Sequence, residues 1–587
     1  MHSAKNIMIF LIFVSFLSHA QNNFNEKWKT VFENSGYLST ADYEKSMSYF
    51  KMFAENYPEV KMSSFGKSPQ GRDLNFLIIS KDKLFTPESV KKAGKPVVFI
   101  VNGIHSGEIE GKDACMLLLR EILVTKEKKE LIEDAVLIIV PIFSVDGHER
   151  KSKYSRINQN GPEEMGWRTT AQNLNLNRDW IKADAPEMQA MLKLFSKWLP
   201  DLFIDTHTTD GADYQYTVTY GLDKFQNLYS GLAGMVKKDL IPHLEKRVEE
   251  QGFLISPYAG FKAGQPDSGL VDWPSTPRFS NGYATVRNRI GLLVETHMMK
   301  PYKERVFGTK AILVAALEYV KHNKTALLRM NNEADSETVR RFAKEKNYFP
   351  LIFRVNNNAS TYKYKGIEAV KEMSSISGAT KIVYTGKTYE KTIPYFNDVS
   401  IMDSVTAPFA YIIPREWSII VDRLALHGVK IDTVDKEITL EVQRYIFKNV
   451  KFNSAPYEGR QPVTCQYDTY TEKVNVKKGS FIVRTDQRTF KIILMAMEPK
   501  SGDSFLRWGF MNQIFEQKEY FEDYVMERVA LEMLAADKQL EEEFNKRLAE
   551  DEKFRNDPDA RLNFFYERSP YSDKAMNVYP VMRVIKN

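Results

Sequence analysis

Cysteine is almost missing from this chain: Cys115 and Cys465 are the only two in 587 residues, and they stand far apart. A disulfide framework is excluded, so stability has to come from hydrophobic cores. Cys115 falls in a helical apolar pattern, where a free thiol behaves as a small hydrophobe, and the spacing leaves open whether the two pair. Long apolar runs are missing too. After residue 20 none approaches the length that spans a bilayer, so no stable membrane insertion is expected. A strong excess of one charge is absent as well. A net charge of +6 with no basic arm or arginine-rich stripe argues against a nucleic-acid partner. Neither repeats nor low-complexity tracts occur.

What is present is the composition of a soluble globular protein, 43% hydrophobic and 27% charged. A chain of this length divides into two to four domains. Its first twenty residues differ from the rest. Lys5 gives a short positive region, Ile7 to Leu17 is apolar, and Ser18-His19-Ala20 is a small-x-small cleavage pattern before Gln21. That is a secretory signal peptide, and the mature protein is expected to be exported, periplasmic or secreted. With no cysteine near the cleavage site, a lipid-anchored form is not expected. Nothing in the pattern sets an oligomeric state.

From residue 21 to about 330, strand-like and helix-like segments alternate. Helical residues precede Tyr57-Pro58, and a polar turn at Gly66–Leu74 leads into the strand Phe76–Ser80. Strands follow at Val97–Val101, Ala135–Ile142, Leu202–Asp205 and Gly291–Glu295. Helices are expected at Ala114–Val124 and Met188–Trp198, and over most of Leu222–Glu250. Short, continuously apolar strands alternating with helices indicate an α/β layer with a mainly parallel, doubly covered sheet. Beyond 330 the texture becomes near-alternating, at Thr361–Tyr395 and Ala407–Arg488, which predicts a β-rich accessory domain over 331–490. A mostly helical region, 491–587, closes the chain. It has an apolar stripe over Phe505–Ala535 and a charge-dense run, Asp537–Asp557, that reads as a solvated helix face.

Ligands in such sheets gather at the carboxyl ends of strands, and the chemistry-bearing residues cluster there. His105 and Glu108 lie three apart on the turn after Val97–Val101. His207 follows Leu202–Asp205, with Asp205 able to serve as a supporting carboxylate. Two histidines, one glutamate and an open fourth position form the donor set of a catalytic zinc that holds a water. Glu295, a carboxylate ending four apolar strand residues, is costly to bury unless used, and is the candidate base. Arg168, in Trp167-Arg168-Thr169, and Arg178, beside Asn177, carry the planar fork that suits a carboxylate.

Taken together, these motifs resemble the zinc carboxypeptidase family of the carboxypeptidase A type. Gly66-Lys67-Ser68 with Gly71-Arg72, His105-x-x-Glu108, Trp167-Arg168, Asn177-Arg178, His207 and Glu295 occur in that family's order, over roughly residues 40–320. The resemblance implies a mixed, mainly parallel eight-stranded sheet between helices. It also implies one zinc ion on His105, Glu108 and His207, and Glu295 as general base and then proton donor. Arg168 would stabilise the oxyanion, while Asn177 and Arg178 would grip the terminal carboxylate of a peptide substrate. Two departures stand out. Gly107 occupies the position before the glutamate ligand where the digestive enzymes carry an arginine, which predicts a missing substrate contact. The family's mobile tyrosine matches either Tyr258 or Tyr283, and Tyr283 is preferred here as the substrate-binding residue.

The expected protein is thus an exported zinc metallocarboxypeptidase that hydrolyses C-terminal peptide bonds with a zinc-activated water and a glutamate base. A variant of this reading keeps the site but acts on peptidoglycan stem peptides or N-acyl amino acids. A second rival is an inactive zinc- and peptide-binding protein, against which Glu295 and Arg168 argue.

Overall fold

The computed structural model describes residues 26–344 and 348–585, so the expected signal peptide at 1–20 lies outside the described residues. The chain divides into two compact units. The first contains Met1–Phe409, Ile419–Ile431 and Val483–Ser504. The second contains Ala410–Ser418, Asp432–Ile482 and Phe505–Asn587. The β-rich stretch 331–490 is shared between them.

The first unit is built on an eight-stranded sheet. In chain order its strands are β1 (Val60–Lys67), β2 (Asp73–Ile79), β3 (Val97–Asn102), β4 (Val136–Val140), β5 (Leu202–Thr209), β6 (Val218–Leu222) and β7 (Ile255–Pro257). Two short strands, β8 (Gly260–Phe261) and β9 (Leu270–Val271), lie outside it, and β10 (Ile290–His297) completes it. The spatial order is β1-β2-β4-β3-β5-β10-β6-β7. Strands β4, β3, β5 and β10 run parallel, with antiparallel pairings towards both edges.

The four central strands are buried along their whole length, which is why their sequences read as continuous apolar runs. One face packs Val98, Ile100 and Ile204 into a core with Cys115 and Leu313. On the other face, Phe99 and Phe203 meet Phe195, at ring-centroid distances of 6.3 and 5.6 Å. Each fully buried aromatic or aliphatic side chain here contributes about 1.5–3 kcal/mol by leaving water. Cys115 and Cys465 are both free, and Cys115 is buried.

Two expected helices start later than their sequences suggest. Leu222 pairs with Leu292 as the last residue of β6, and the chain then runs without helix to Ser230. Leu222, Phe225 and Leu228 are buried as loop anchors, not as a helical stripe. Strand β1 carries no sequence signal because its polar Lys61, Ser63 and Ser64 belong to a partly exposed edge. After a 43-residue helix, Tyr302–Lys344, come β11 (Tyr348–Val355), β12 (Ser360–Met373), β13 (Thr380–Phe396) and β14 (Val399–Thr406). The β12–β13 hairpin extends through β9 to β8, and β11 pairs with β14.

The second unit holds a six-stranded sheet of β15 (Ala410–Ile413), β16 (Asp432–Thr433), β17 (Ile438–Phe452), β18 (Val463–Val476), β19 (Phe481–Arg484) and β20 (Met582–Val584). Its helices cluster around Met526, Leu540, Phe544, Phe554 and Phe565. The first half of the expected Phe505–Ala535 helix is irregular, and helix begins only at Asp523. Gly509 holds φ +76°, outside the right-handed helical region, while Phe505, Leu506, Trp508 and Met511 are all buried around that bend. Among the described residues no helix is long and apolar enough to cross a membrane.

Candidate active site

The parallel register sets the site. Glu295 on β10 lies directly beside His207 on β5, and Val101 and Asn102 on β3 lie beside Asp205 and Thr206. The turn after β3 then delivers His105 and Glu108 to the same strand ends. The side-chain donors of His105, Glu108 and His207 all lie within 4.8 Å of one another, and all three residues are buried.

The hydrogen bonds around this cluster fix its chemistry. His105 Nε2 lies 3.1 Å from Asn175 Oδ1, and His207 Nε2 lies 2.8 Å from Asp205 Oδ2. Both outer partners are acceptors, so each ring donates from Nε2 and turns a lone pair inward from Nδ1. Those two Nδ1 atoms face one oxygen, Glu108 Oε2, at 3.1 and 2.9 Å. Two imidazole lone pairs and a carboxylate oxygen converging on one point repel each other unless a cation sits among them. The donor set therefore fits a divalent, borderline-soft metal ion. Burial, first, and the Arg168 guanidinium hold His105 down at about 4 against the raising effect of Glu108, and so keep it in the deprotonated form a ligand needs. His207 is held up instead, chiefly by Asp205, against the opposing effect of burial.

Glu295 is 8% exposed, and its Oε2 has no hydrogen-bond partner. Burial, first, and the carboxylates of Glu108, Asp205 and Glu110 push its carboxyl up to about 8, against a lowering by His207. A buried carboxylate oxygen with nothing to bind is expensive structurally, and at the mouth of the donor cluster it makes Glu295 the candidate for proton transfer.

Residues 46–240 match a family described as zinc carboxypeptidase. Over those residues the chain is similar to the zinc carboxypeptidases. Among its curated relatives is "Carboxypeptidase 2" of Trichophyton equinum, 22% identical over 466 residues, covering 76% of this chain and 79% of the relative. "Carboxypeptidase 2" of Trichophyton rubrum is 22% identical over 469 residues with the same coverage. A metallo-carboxypeptidase from Burkholderia cenocepacia is a solved structure similar to 48% of this chain and 70% of its own, at 16% identity and a TM-score of 0.36. Carboxypeptidase A from Helicoverpa armigera covers 48% and 74%, at 18% identity and a TM-score of 0.36.

Two cavities meet at the cluster. One, of about 240 Å³, is lined by His105, Glu295, Arg168, Asn177, Arg178 and Tyr258 among others. The second, of about 400 Å³, shares His105, Arg168, Tyr258 and Glu295 and adds Glu108 and Arg156. The sheet thus brings together every residue expected at the site but one. Arg168 Nη1 donates to Glu108 Oε1 at 3.1 Å. Asn177 Oδ1 accepts from Ser280 N at 3.0 Å, and the Arg178 guanidinium stacks 4.5 Å over the Phe279 ring while donating to Asn177 O.

The exception is Tyr283. It is fully buried, its hydroxyl accepts from Arg287 Nη1 at 2.7 Å, and it donates to His427 Nδ1 at 3.0 Å. It lies in a helix, Ser280–Val286, whose inner face packs on Trp180 and Phe195, and it lines neither cavity. Tyr258, just past β7, lines both. The Glu295 carboxylate, first, and burial hold its phenol protonated.

Two contributors carry no readable sequence signal. Asn175 orients His105 from inside the Asn-Leu-Asn-Leu-Asn run, whose alternation marks it only as a turn. Arg156 comes from the irregular loop 150–163, and its Nη2 donates to Glu108 Oε1 at 2.5 Å. Gly107 makes room for it: a Cβ there would meet Arg156 Cγ and Gly166 O at 2.7 Å each. The cleft beside Glu108 therefore carries two guanidiniums, although the residue before the glutamate is glycine.

Proposed function

We propose that this chain is an exported zinc metallocarboxypeptidase that removes residues from the C-terminus of peptides, with one zinc ion held by His105, Glu108 and His207. One observation carries the reading. A single cavity joins the unpartnered Oε2 of Glu295 and His105, one of the three clustered donors, to a guanidinium, Arg178, with no carboxylate partner among the described residues. When bound, zinc supplies a Lewis acid that activates water and polarises a carbonyl.

The chain's own groups supply the remainder. Arg178 and the Asn177 amide hold the substrate's terminal carboxylate and so set the last peptide bond beside Glu295. Arg168 donates to the carbonyl oxygen as it becomes an oxyanion, a contribution of about 3–4 kcal/mol for such donors. Glu295 takes the proton of the attacking water as the C–O bond forms. It then gives that proton to the amide nitrogen as the C–N bond breaks, releasing the last residue. Tyr258, protonated and in the same cavity, is the tyrosine available to donate to the substrate.

Arg178→Ala tests the anchor. Loss of a buried charge partner costs roughly 3 kcal/mol, so kcat/KM on free-acid peptides should fall on the order of 100-fold. Wild-type protein should reject C-terminally amidated peptides, and the variant should lose most of that discrimination. Unchanged discrimination in the variant would assign the anchor elsewhere. Export is checked separately: N-terminal sequencing of the mature chain should begin at Gln21, and a mature chain that still begins at Met1 would contradict cleavage.

A further inference from the structure

The polar network around Tyr283 holds two guanidiniums that no carboxylate meets. Arg287, which follows the helix Ser280–Val286, is fully buried. Its Nη1 donates to the Tyr283 hydroxyl at 2.7 Å and lies 3.4 Å from Ser196 Oγ. Its Nε and Nη2 are buried with no hydrogen-bond partner among the described residues. Arg488, in the turn between β19 and the helix Phe490–Met497, is half-buried, and its Nη1 is likewise buried without a partner. Neither side chain makes an ion pair within 4.0 Å among the described residues.

The surrounding groups do not supply the missing charge. Of the carboxylates, Asp335 acts most on Arg488, but Arg289 already takes both its oxygens, Nη1 to Oδ1 at 3.2 Å and Nη2 to Oδ2 at 2.9 Å. Three guanidiniums, Arg287, Arg289 and Arg488, therefore act around one carboxylate. Tyr283 is no phenolate: burial, first, holds its proton, which it donates to His427 Nδ1 at 3.0 Å. His427 donates from Nε2 to Ile181 O at 3.0 Å, and burial, first, and Arg287 keep it neutral, down at about 3. Burial, first, and the charge on Arg287 bring Arg488 down to about 10 against the pull of Asp335, so it stays protonated at neutral pH. A buried acid escapes such a position by taking up a proton, whereas a guanidinium keeps its charge. A buried charge left unpaired is strongly destabilising unless an anion joins it.

The space suits a small one. A Cβ built on Gly428 would stand 3.9 Å from Arg287 Nη2 and 3.4 Å from Ser196 Oγ, which leaves room for about one heavy atom beside Nη2. The Phe195 and Tyr283 rings, each 5.6 Å from the guanidinium, cover it further. We propose that Arg287 and Arg488 form a binding site for one small monovalent inorganic anion of the chloride class, held by Nε and Nη2 of Arg287 and Nη1 of Arg488.

Chloride and bromide are the probes, on the purified full chain. At constant ionic strength, replacing gluconate, an anion too large for this space, by chloride should raise the melting temperature along a saturating curve, by roughly 2–4 °C. Arg488→Met keeps the apolar stem, removes the charge and should abolish that dependence. In gluconate the variant should melt no lower than wild type, because it carries one unpaired charge fewer. Crystals soaked in bromide should show an anomalous peak within hydrogen-bond reach of both guanidiniums. A wild-type melting temperature that does not distinguish chloride from gluconate would overturn the proposal, as would a chloride dependence unchanged in Arg488→Met. So would water in place of bromide between the two side chains, or a variant that melts lower than wild type in gluconate, since the charge would then already have a partner.

Discussion

Replacing Glu295 by Gln is expected to lower kcat on the order of 10⁴-fold and to leave bound metal at the wild-type level. General acid–base catalysis by one side chain is typically worth 10²–10⁴-fold. Glu295 is assigned both the proton removal and the proton return, which puts the loss at the upper end. Glutamine keeps the shape and one acceptor oxygen, and it removes no metal donor, so metal analysis should be unchanged. Stability moves the opposite way from activity. The Glu295 carboxyl is pushed from 4.5 up to about 8 in the metal-free protein. Its protonated form is therefore the one the fold tolerates, and stability is lost as pH rises from 4.5 through 8. Glu295→Gln should consequently raise the melting temperature of metal-free protein at pH 8 and have little effect at pH 4. A variant with near-normal turnover would remove Glu295 from the role of base. One that is inactive because it unfolds would show a lower melting temperature.

The second large effect concerns the donors themselves. His105→Ala and His207→Ala should each abolish stoichiometric metal and leave activity below about 10⁻³ of wild type, since each removes one of only three protein donors. The outer partners should give a graded result. Asp205→Asn and Asn175→Ala both leave all donors in place: Asn175→Ala removes the acceptor that turns His105 Nδ1 inward, and Asp205→Asn replaces the charged acceptor of His207 by a neutral amide. Weaker metal affinity by about 10–100-fold is expected for each, with activity recovered at higher metal concentration. Ligand binding to the folded state also raises stability by mass action. Chelator should therefore lower the melting temperature of wild-type protein and leave that of His105→Ala unmoved. Full metal occupancy in His105→Ala would contradict the assignment of this donor set.

Much of this was legible in the sequence because strand ends in a parallel sheet are legible. Apolar runs such as Val97–Val101 and Leu292–Val294 mark buried central strands, and the polar residue that ends each run is by position at the ligand edge. His105, His207 and Glu295 were readable for that reason. Residues from irregular chain were not. Arg156 reaches Glu108 from a loop with no period, and only the space left by Gly107 reveals its path. The choice between Tyr283, the preferred residue, and Tyr258 has no alignment in the sequence to decide it. The helix at Ser280–Val286 turns Tyr283 into the core, while the end of β7 turns Tyr258 towards the carboxylate.

The central claim is metal-dependent removal of C-terminal residues, and one measurement meets it directly: mass spectrometry of a mixture of peptides and muropeptides incubated with the purified protein, with chelator, and with chelator followed by zinc. The account expects peptides shortened from the C-terminus one residue at a time, no products under chelator, and their return with zinc. Internal cleavage, cleavage confined to D-amino-acid stem peptides, or products that persist under chelator would contradict it.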